Sequence, residues 1–234
     1  MSVDMVKTIL RHVDKMPPLP PTVAKVLQIA NDPNSSAKDM DKVISLDPVL
    51  STKVLRQVNS AYYGLRQKIT RTSQAIAYLG MNNIKNMILT TAVLSKMKQE
   101  VQGHGFSIDK FWRHTLGCSV AARVIAKRTN SDKDTIEDCA LAGLLHDLGK
   151  LVLINFYPKE YKEVIFFAKQ NNVAIFAAER RVLKGEERMA VGAYGKTSSD
   201  MSTRIQLVDH CYVGQHLGLK WDFPSSLMDP ITHH

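Results

Sequence analysis

Apolar positions recur every three to four residues along most of this chain, and period-two alternation bounded by Asn-Gly or Asp-Gly turns is nearly absent. The pattern predicts helices and no sheet. After the rigid extended segment Met16–Thr22 (MPPLPPT), a helix is apolar at Val23, Val26, Leu27 and Ala30. The loop NDPNSS leads to Ser36-x-x-Asp39, a capping-box-like start for a helix through Val43 and Ile44. Asp47-Pro48 sets a cap residue before a proline suited to the first helical position, opening a helix on Leu50, Val54 and Val58. Gly80 closes the helix ending at Ala75–Leu79, and residues 82–98 follow with Ile84, Met87, Ile88, Thr91 and Leu94 on one face. The stretch Lys98–Ser107, with Gly103 and Gly105, reads as a linker. Beyond it the spacing predicts helices at about 108–128, 135–148, 150–156, 159–170, 174–184, 203–217 and from 225 onward. The expected fold is all-α: a compact multi-helix assembly with an N-terminal helical subdomain (1–100) packed on a C-terminal helical core (101–234).

Composition narrows the class. Of 234 residues, 44% are hydrophobic, which suits a globular chain with a real core. No apolar run reaches the ~20 residues that span a bilayer, and Met1–Leu10 mixes acid and base without a signal-peptide core. A cytoplasmic protein that makes no use of a membrane is the expectation. Cys118, Cys139 and Cys211 are odd in number, far apart and without a CxxC pair. That argues against a disulfide framework and a thiolate zinc site, and predicts small buried hydrophobes in apolar helices.

The net charge of +9 is unevenly placed: residues 1–100 hold 14 Lys/Arg against 7 Asp/Glu, and residues 101–234 hold 17 against 15. Between Asp47 and Glu100 there is no acidic side chain, while Lys53, Arg56, Arg66, Lys68, Arg71, Lys85, Lys96 and Lys98 lie there. Such a stretch is either a solvated surface or a docking face for an acidic partner. Only Tyr62, Tyr63 and Tyr78 could stack on bases, so nucleic acid is not the expected partner. Asn59–Gly64 (NSAYYG) reads as a polar turn. Asn59 and Tyr63, with Arg56 and Lys85, are the candidate ligand or partner contacts.

The chemistry concentrates in LLHDLGK (Leu144–Lys150), where His146 and Asp147 stand together at the end of an apolar helix. Imidazole and carboxylate both suit Zn, Mn or Fe. Adjacent helical residues diverge by ~100°, so one ion held by both must draw further ligands from other helices. His114, His210 and the pair His233-His234 are available. Gly117, Gly143 and Gly214 each lie within a turn of one of these histidines, which suggests close helix approach around a shared centre. Core histidines at tightly packed helix crossings would give the same pattern.

The chain resembles the HDOD family, the HD-related output domains of bacterial signalling. The landmarks PPLPPTVAKVL, ISLDPVLSTKVLRQVNSAYYG, TRTSQAIAYLG, FWRHTLGCSVAA, AGLLHDLGKLVL, DHCYVGQHLGLKWDFP and the closing HH run in order over nearly its whole length. The resemblance implies an HD-like helical fold over about 16–234, related to HD and HD-GYP phosphohydrolases but generally regulatory and often with an eroded metal site. By that likeness His114, His146, Asp147 and His210 match metal-ligand positions, and His233 and His234 match the paired histidines of HD-GYP proteins. The closing aspartate of the pattern has no counterpart up to His234, and Trp221-Asp222-Phe223-Pro224 stands where the GYP element would be. A glutamate resembling Glu179 precedes the Asp209-His210 pair closely in the family; here some twenty-four extra residues (about 184–207) intervene and leave the position of His210 open. Within them, Ala190–Thr197 (AVGAYGKT) fits a permissive phosphate-loop pattern but follows no strand, so no nucleotide site is expected.

These residues are compatible with a signalling module that works by binding a small ligand or a partner protein, with a partly retained metal site. They are also compatible with a metal-dependent phosphohydrolase acting on a nucleotide or cyclic dinucleotide, in which Lys150 would stabilise developing charge. Neither a receiver nor a GGDEF sequence occurs in these residues, so output is expected through contacts with other proteins. Trp112 and Trp221 are expected to anchor the core near the site.

Overall fold

A computed structural model describes residues 2–96, 106–183 and 208–234. Lys98 and most of the expected linker lie outside the described residues. So do the 184–207 insertion with Ala190–Thr197, and the start expected for the 203–217 helix. Among the described residues the chain is helical, with no strand.

The first half runs α1 (Ser2–Lys15), α2 (Pro21–Asn31), α3 (Ala37–Ser45), α4 (Pro48–Val58), α5 (Thr72–Leu79) and α6 (Met81–Lys96). Its boundaries follow the punctuation. Ser36 and Asp39 form a reciprocal capping box at the start of α3, with Ser36 N donating to Asp39 Oδ2 at 2.9 Å. Asp47 Oδ1 accepts from Leu50 N at 2.9 Å and starts α4 ahead of Pro48. Gly80, at φ +86°, ends α5 where an L side chain would be strained.

The second half runs α7 (Ile108–Arg128), α8 (Lys133–Leu145), α9 (Leu148–Phe156), α10 (Pro158–Asn171), α11 (Ile175–Val182), α12 (His210–Lys220) and α13 (Ser225–His233). Most boundaries fall within two residues of expectation, and two larger differences bear on the site. The helix expected over 135–148 stops at Leu145, and His146-Asp147 form the junction between α8 and α9. The last long helix extends to Lys220, and its N-terminus is set by Asp209, whose Oδ1 accepts from Tyr212 N at 2.9 Å. The apolar stretch Lys133–Phe156 is long enough to cross a membrane, but a turn at this junction interrupts it, and 67% of its most apolar window is buried in the protein.

Buried apolar side chains form one cluster from Ile9 to Ile231, drawing on both halves. The N-terminal helix packs on α12 and α9 of the second half. There His12 Nδ1 meets the Tyr157 hydroxyl at 2.7 Å, Lys220 Nζ donates to Val13 O at 2.9 Å, and Trp221 Nε1 donates to Pro17 O at 3.3 Å. Trp221 is buried, as expected, and Trp112 packs against the cluster.

A second seam joins α6 to α8. Asp138 Oδ1 accepts from Asn82 and Asn86, both at 3.0 Å, and lies 3.5 Å from Lys85 Nζ. Lys85, a candidate ligand or partner contact, is buried here in an ion pair that ties the halves together. Asn59 is likewise structural: its amide donates to Leu55 O and Ile69 O and its oxygen accepts from Ile69 N, all at 2.8 Å, pinning the following loop. Tyr63 is half-buried edge-to-face against Tyr62, and burial pushes its hydroxyl pKa up. Arg56 remains exposed on α4.

Candidate metal centre

The bend between α8 and α9 aims the key carboxylate. His146 N still donates to Ala142 O at 2.9 Å, but Asp147 takes φ −89°, ψ 13° and closes the turn by accepting from Lys150 N. The Asp147 side chain is thereby carried inward and is 1% exposed. Four imidazoles from four parts of the fold point Nε2 at it. His114 of α7 and His146 lie 3.4 and 3.5 Å from Oδ2; His210 of α12 and His234, after α13, lie 3.5 and 3.2 Å from Oδ1. Lys150 Nζ reaches both oxygens, at 2.6 and 2.7 Å.

Three of these rings are held from behind. Nδ1 of His146 bonds Gly143 O at 2.8 Å, Nδ1 of His234 bonds Pro230 O at 2.8 Å, and Nδ1 of His210 bonds Glu179 Oε2 at 2.5 Å. A carbonyl or carboxylate can only accept, so each Nδ1 donates, and each Nε2 faces the centre with either a second proton or, once that proton is lost, a lone pair. That is the arrangement by which outer partners orient metal-ligating histidines. Glu179 is fully buried, and it also accepts from Tyr161 Oη at 2.8 Å and His210 N at 2.9 Å.

The electrostatics agree. Burial alone would raise the Asp147 pKa, but the His234 hydrogen bond and Lys150 outweigh it and hold the carboxyl well below the usual range. Burial lowers the His146 pKa. His210 and His234 run the other way, because hydrogen bonds outweigh burial: from Cys211 and Glu179 on His210, raised to about 9, and from Asp147 and Cys211 on His234, raised to about 10. Their Nε2 atoms are 3.0 Å apart. Two lone pairs cannot face each other at that distance, so a cation must lie between them, and in metal-free protein it is a proton. These donors are of the types that can hold a divalent ion.

Helix packing makes this convergence possible, though not through all the expected glycines. A Cβ on Gly143 would lie 2.8 Å from the Cys118 carbonyl of α7, and one on Gly214 would lie 2.8 Å from Ile231 Cγ2. Gly117 faces open space and plays no such part, because α7 offers its other side to α8. The tightest contact involves Gly149, where a Cβ would collide with the His210 carbonyl and approach Gly214 N to 2.7 Å.

The structure brings His114, His146, Asp147, His210 and His234 together, and Lys150 joins them. His233 does not: it is exposed on the rim of a neighbouring pocket while its successor turns inward. That open pocket of about 420 Å³ is lined by Phe176, Arg180, Asp209, Tyr212, His233 and the centre's own Cys211 and His234, among others. Arg180 is held there by Asp209 at 2.7 Å. The cysteines depart from expectation, since none is fully buried. Cys118 Sγ lies 3.8 Å from His114 Nε2 and Cys211 Sγ 3.8 Å from His234 Nε2. Burial pushes the Cys211 thiol up, but His210 and His234 outweigh it and bring it to about 7. A search for CxxC spacing misses both, because their partners come from one helical turn away or from another helix.

The HDOD domain model matches residues 16–194. The chain belongs to the HDOD domain family. The match ends before His210, Cys211 and His234, so the far side of the centre lies beyond it. The chain is similar to an HDOD domain protein of unknown function from Geobacter sulfurreducens, with 24% identity, a TM-score of 0.69, and coverage of 98% of this chain and 70% of that one. It is also similar to a candidate phosphohydrolase from Shewanella amazonensis, with 25% identity, a TM-score of 0.67, and coverage of 96% and 70%. An uncharacterised protein of Treponema pallidum is 22% identical over 227 residues; the chain spans 97% of itself but 39% of that relative's length.

Proposed function

We propose that this HDOD protein is a regulatory module of cytoplasmic signal transduction that retains a divalent-metal centre and passes its state to a partner protein. The observation that carries the metal reading is the set of four imidazole Nε2 atoms within 3.5 Å of the buried Asp147 carboxylate, three of them fixed by Nδ1 hydrogen bonds. His114, His146, Asp147, His210 and His234 would hold the ion, and Glu179 would keep His210 in its ligating tautomer. The partner reading draws on α7, which carries His114 and exposes Leu116, Val120, Val124 and Ile125, each at least 44% accessible. An exposed apolar stripe of that kind supports docking.

The test is metal content by mass spectrometry on protein purified without a nickel column. Near-stoichiometric iron, manganese or zinc, lost in Asp147→Ala, is expected. Well-folded protein that takes up no metal would reject the centre and leave a binding module with hydrogen-bonded core histidines.

A second reading, metal-dependent phosphohydrolysis, is favoured by the pocket beside His234 with Arg180 on its wall. The metal would supply Lewis acidity there. Arg180 and Lys150 would bind phosphate oxygens, Lys150 from its place against Asp147. This reading requires metal-dependent hydrolysis of a phosphodiester or nucleotide that disappears in Asp147→Ala.

A further inference from the structure

The centre has two sides, and each side has a thiol. On one, His114, Cys118 and His146 bring their ligand atoms within 4.8 Å of one another; on the other, His210, Cys211 and His234 do the same. Asp147 stands between, with Oδ2 toward the first pair of imidazoles and Oδ1 toward the second. A carboxylate has about four lone-pair sites, so Lys150 can occupy one on each oxygen and leave one on each for a cation.

We propose that Cys118 and Cys211 are metal ligands, and that the centre is a dinuclear site for thiophilic divalent ions of the zinc type. Each ion takes two imidazoles, one thiolate and one oxygen of a bridging Asp147. Two nitrogens, a sulfur and an oxygen form the four-coordinate donor set that Zn²⁺ accepts, whereas Mn²⁺ and Mg²⁺ prefer oxygen-rich sets. Local structure serves the assignment. His114 and Cys118 are four residues apart and so share a face of α7. Gly143 lets α8 approach the Cys118 carbonyl, which brings His146 alongside. Cys211 follows His210 in the first turn of α12 and meets His234 at 3.8 Å. The inference rests on the metal-centre reading above but adds the thiolates, the second ion and the metal class.

The test is anaerobic titration of the full chain with Co²⁺, followed by ultraviolet–visible absorption. About two equivalents should bind, with a near-ultraviolet thiolate-to-cobalt charge-transfer band beside the visible bands of tetrahedral cobalt. Cys118→Ser and Cys211→Ser should each remove about half of that band, and the double variant all of it. In parallel, metal should protect Cys118 and Cys211 from alkylation while Cys139, outside both sets, reacts unchanged. Circular dichroism checks that the variants are folded, and alkylation of the wild type gives the answer if one is not. Stoichiometric cobalt without the thiolate band, or protection of neither cysteine, would overturn this inference and leave the metal centre standing. Failure of the wild type to bind cobalt at all would remove both.

Discussion

Asp147 is a buried carboxylate that is tolerable only because cations crowd around it: Lys150 at 2.6 Å and a proton shared by His210 and His234. A divalent ion entering the centre must displace that proton. Hydrogen bonds raise the pKa of both His210 and His234, so the pair keeps this shared proton through the neutral range and it competes with metal there. Metal affinity should therefore rise with pH across that range, by about tenfold per pH unit for the proton displaced. Chelator competition between pH 6 and 9 would measure the slope; a flat profile would show that this proton is not in the way. Glu179 acts one step behind. Glu179→Gln keeps the shape but offers a weaker acceptor to His210 Nδ1, so metal affinity should fall by about 10–100-fold. An unchanged affinity would mean that His210 needs no orienting partner.

At the scale of helices, two glycines make opposite predictions. Gly149 sits where α9 touches α12, and a methyl group there would strike the His210 carbonyl. Gly149→Ala should force the helices apart, destabilise the protein by about 1–3 kcal/mol or more, and weaken metal binding along with it. Gly117 lies in the interior of α7 with open space beside it. Gly117→Ala should stabilise by about 0.5–1 kcal/mol through helix propensity alone. Thermal melts of the two variants should shift in opposite directions. The same pair shows what is legible in a sequence. Ser36/Asp39, Asp47-Pro48 and Gly80 act locally, within a turn of where they stand, and the helices they bound could be read directly. Which side of α7 meets α8 is a long-range matter, so Gly117 and Gly149 could not be told apart by proximity to a histidine. For the same reason the histidines that meet at Asp147 are legible through family likeness, while the sequence pattern alone places Cys118 and Cys211 in the core and groups His233 with His234.

At the scale of the whole chain, the buried seams bear on whether residues 1–100 and 101–234 are separate units. Lys85 and Asp138 pair across α6 and α8, and Trp221, Pro17, His12 and Tyr157 hold α1 on the second half. Apolar side chains from both halves belong to one cluster. Cooperative unfolding follows contiguous burial rather than chain order, so metal-free protein should melt in a single calorimetric transition whose van't Hoff and calorimetric enthalpies agree. Trp221→Ala removes a 3%-exposed side chain from the N-terminal seam and should cost about 3–5 kcal/mol. If the halves are one unit, that loss lowers the midpoint of the whole transition. If they are two, Trp221→Ala splits the endotherm and shifts only the part that includes the second half. A split already present in the wild type would overturn the single-unit expectation outright.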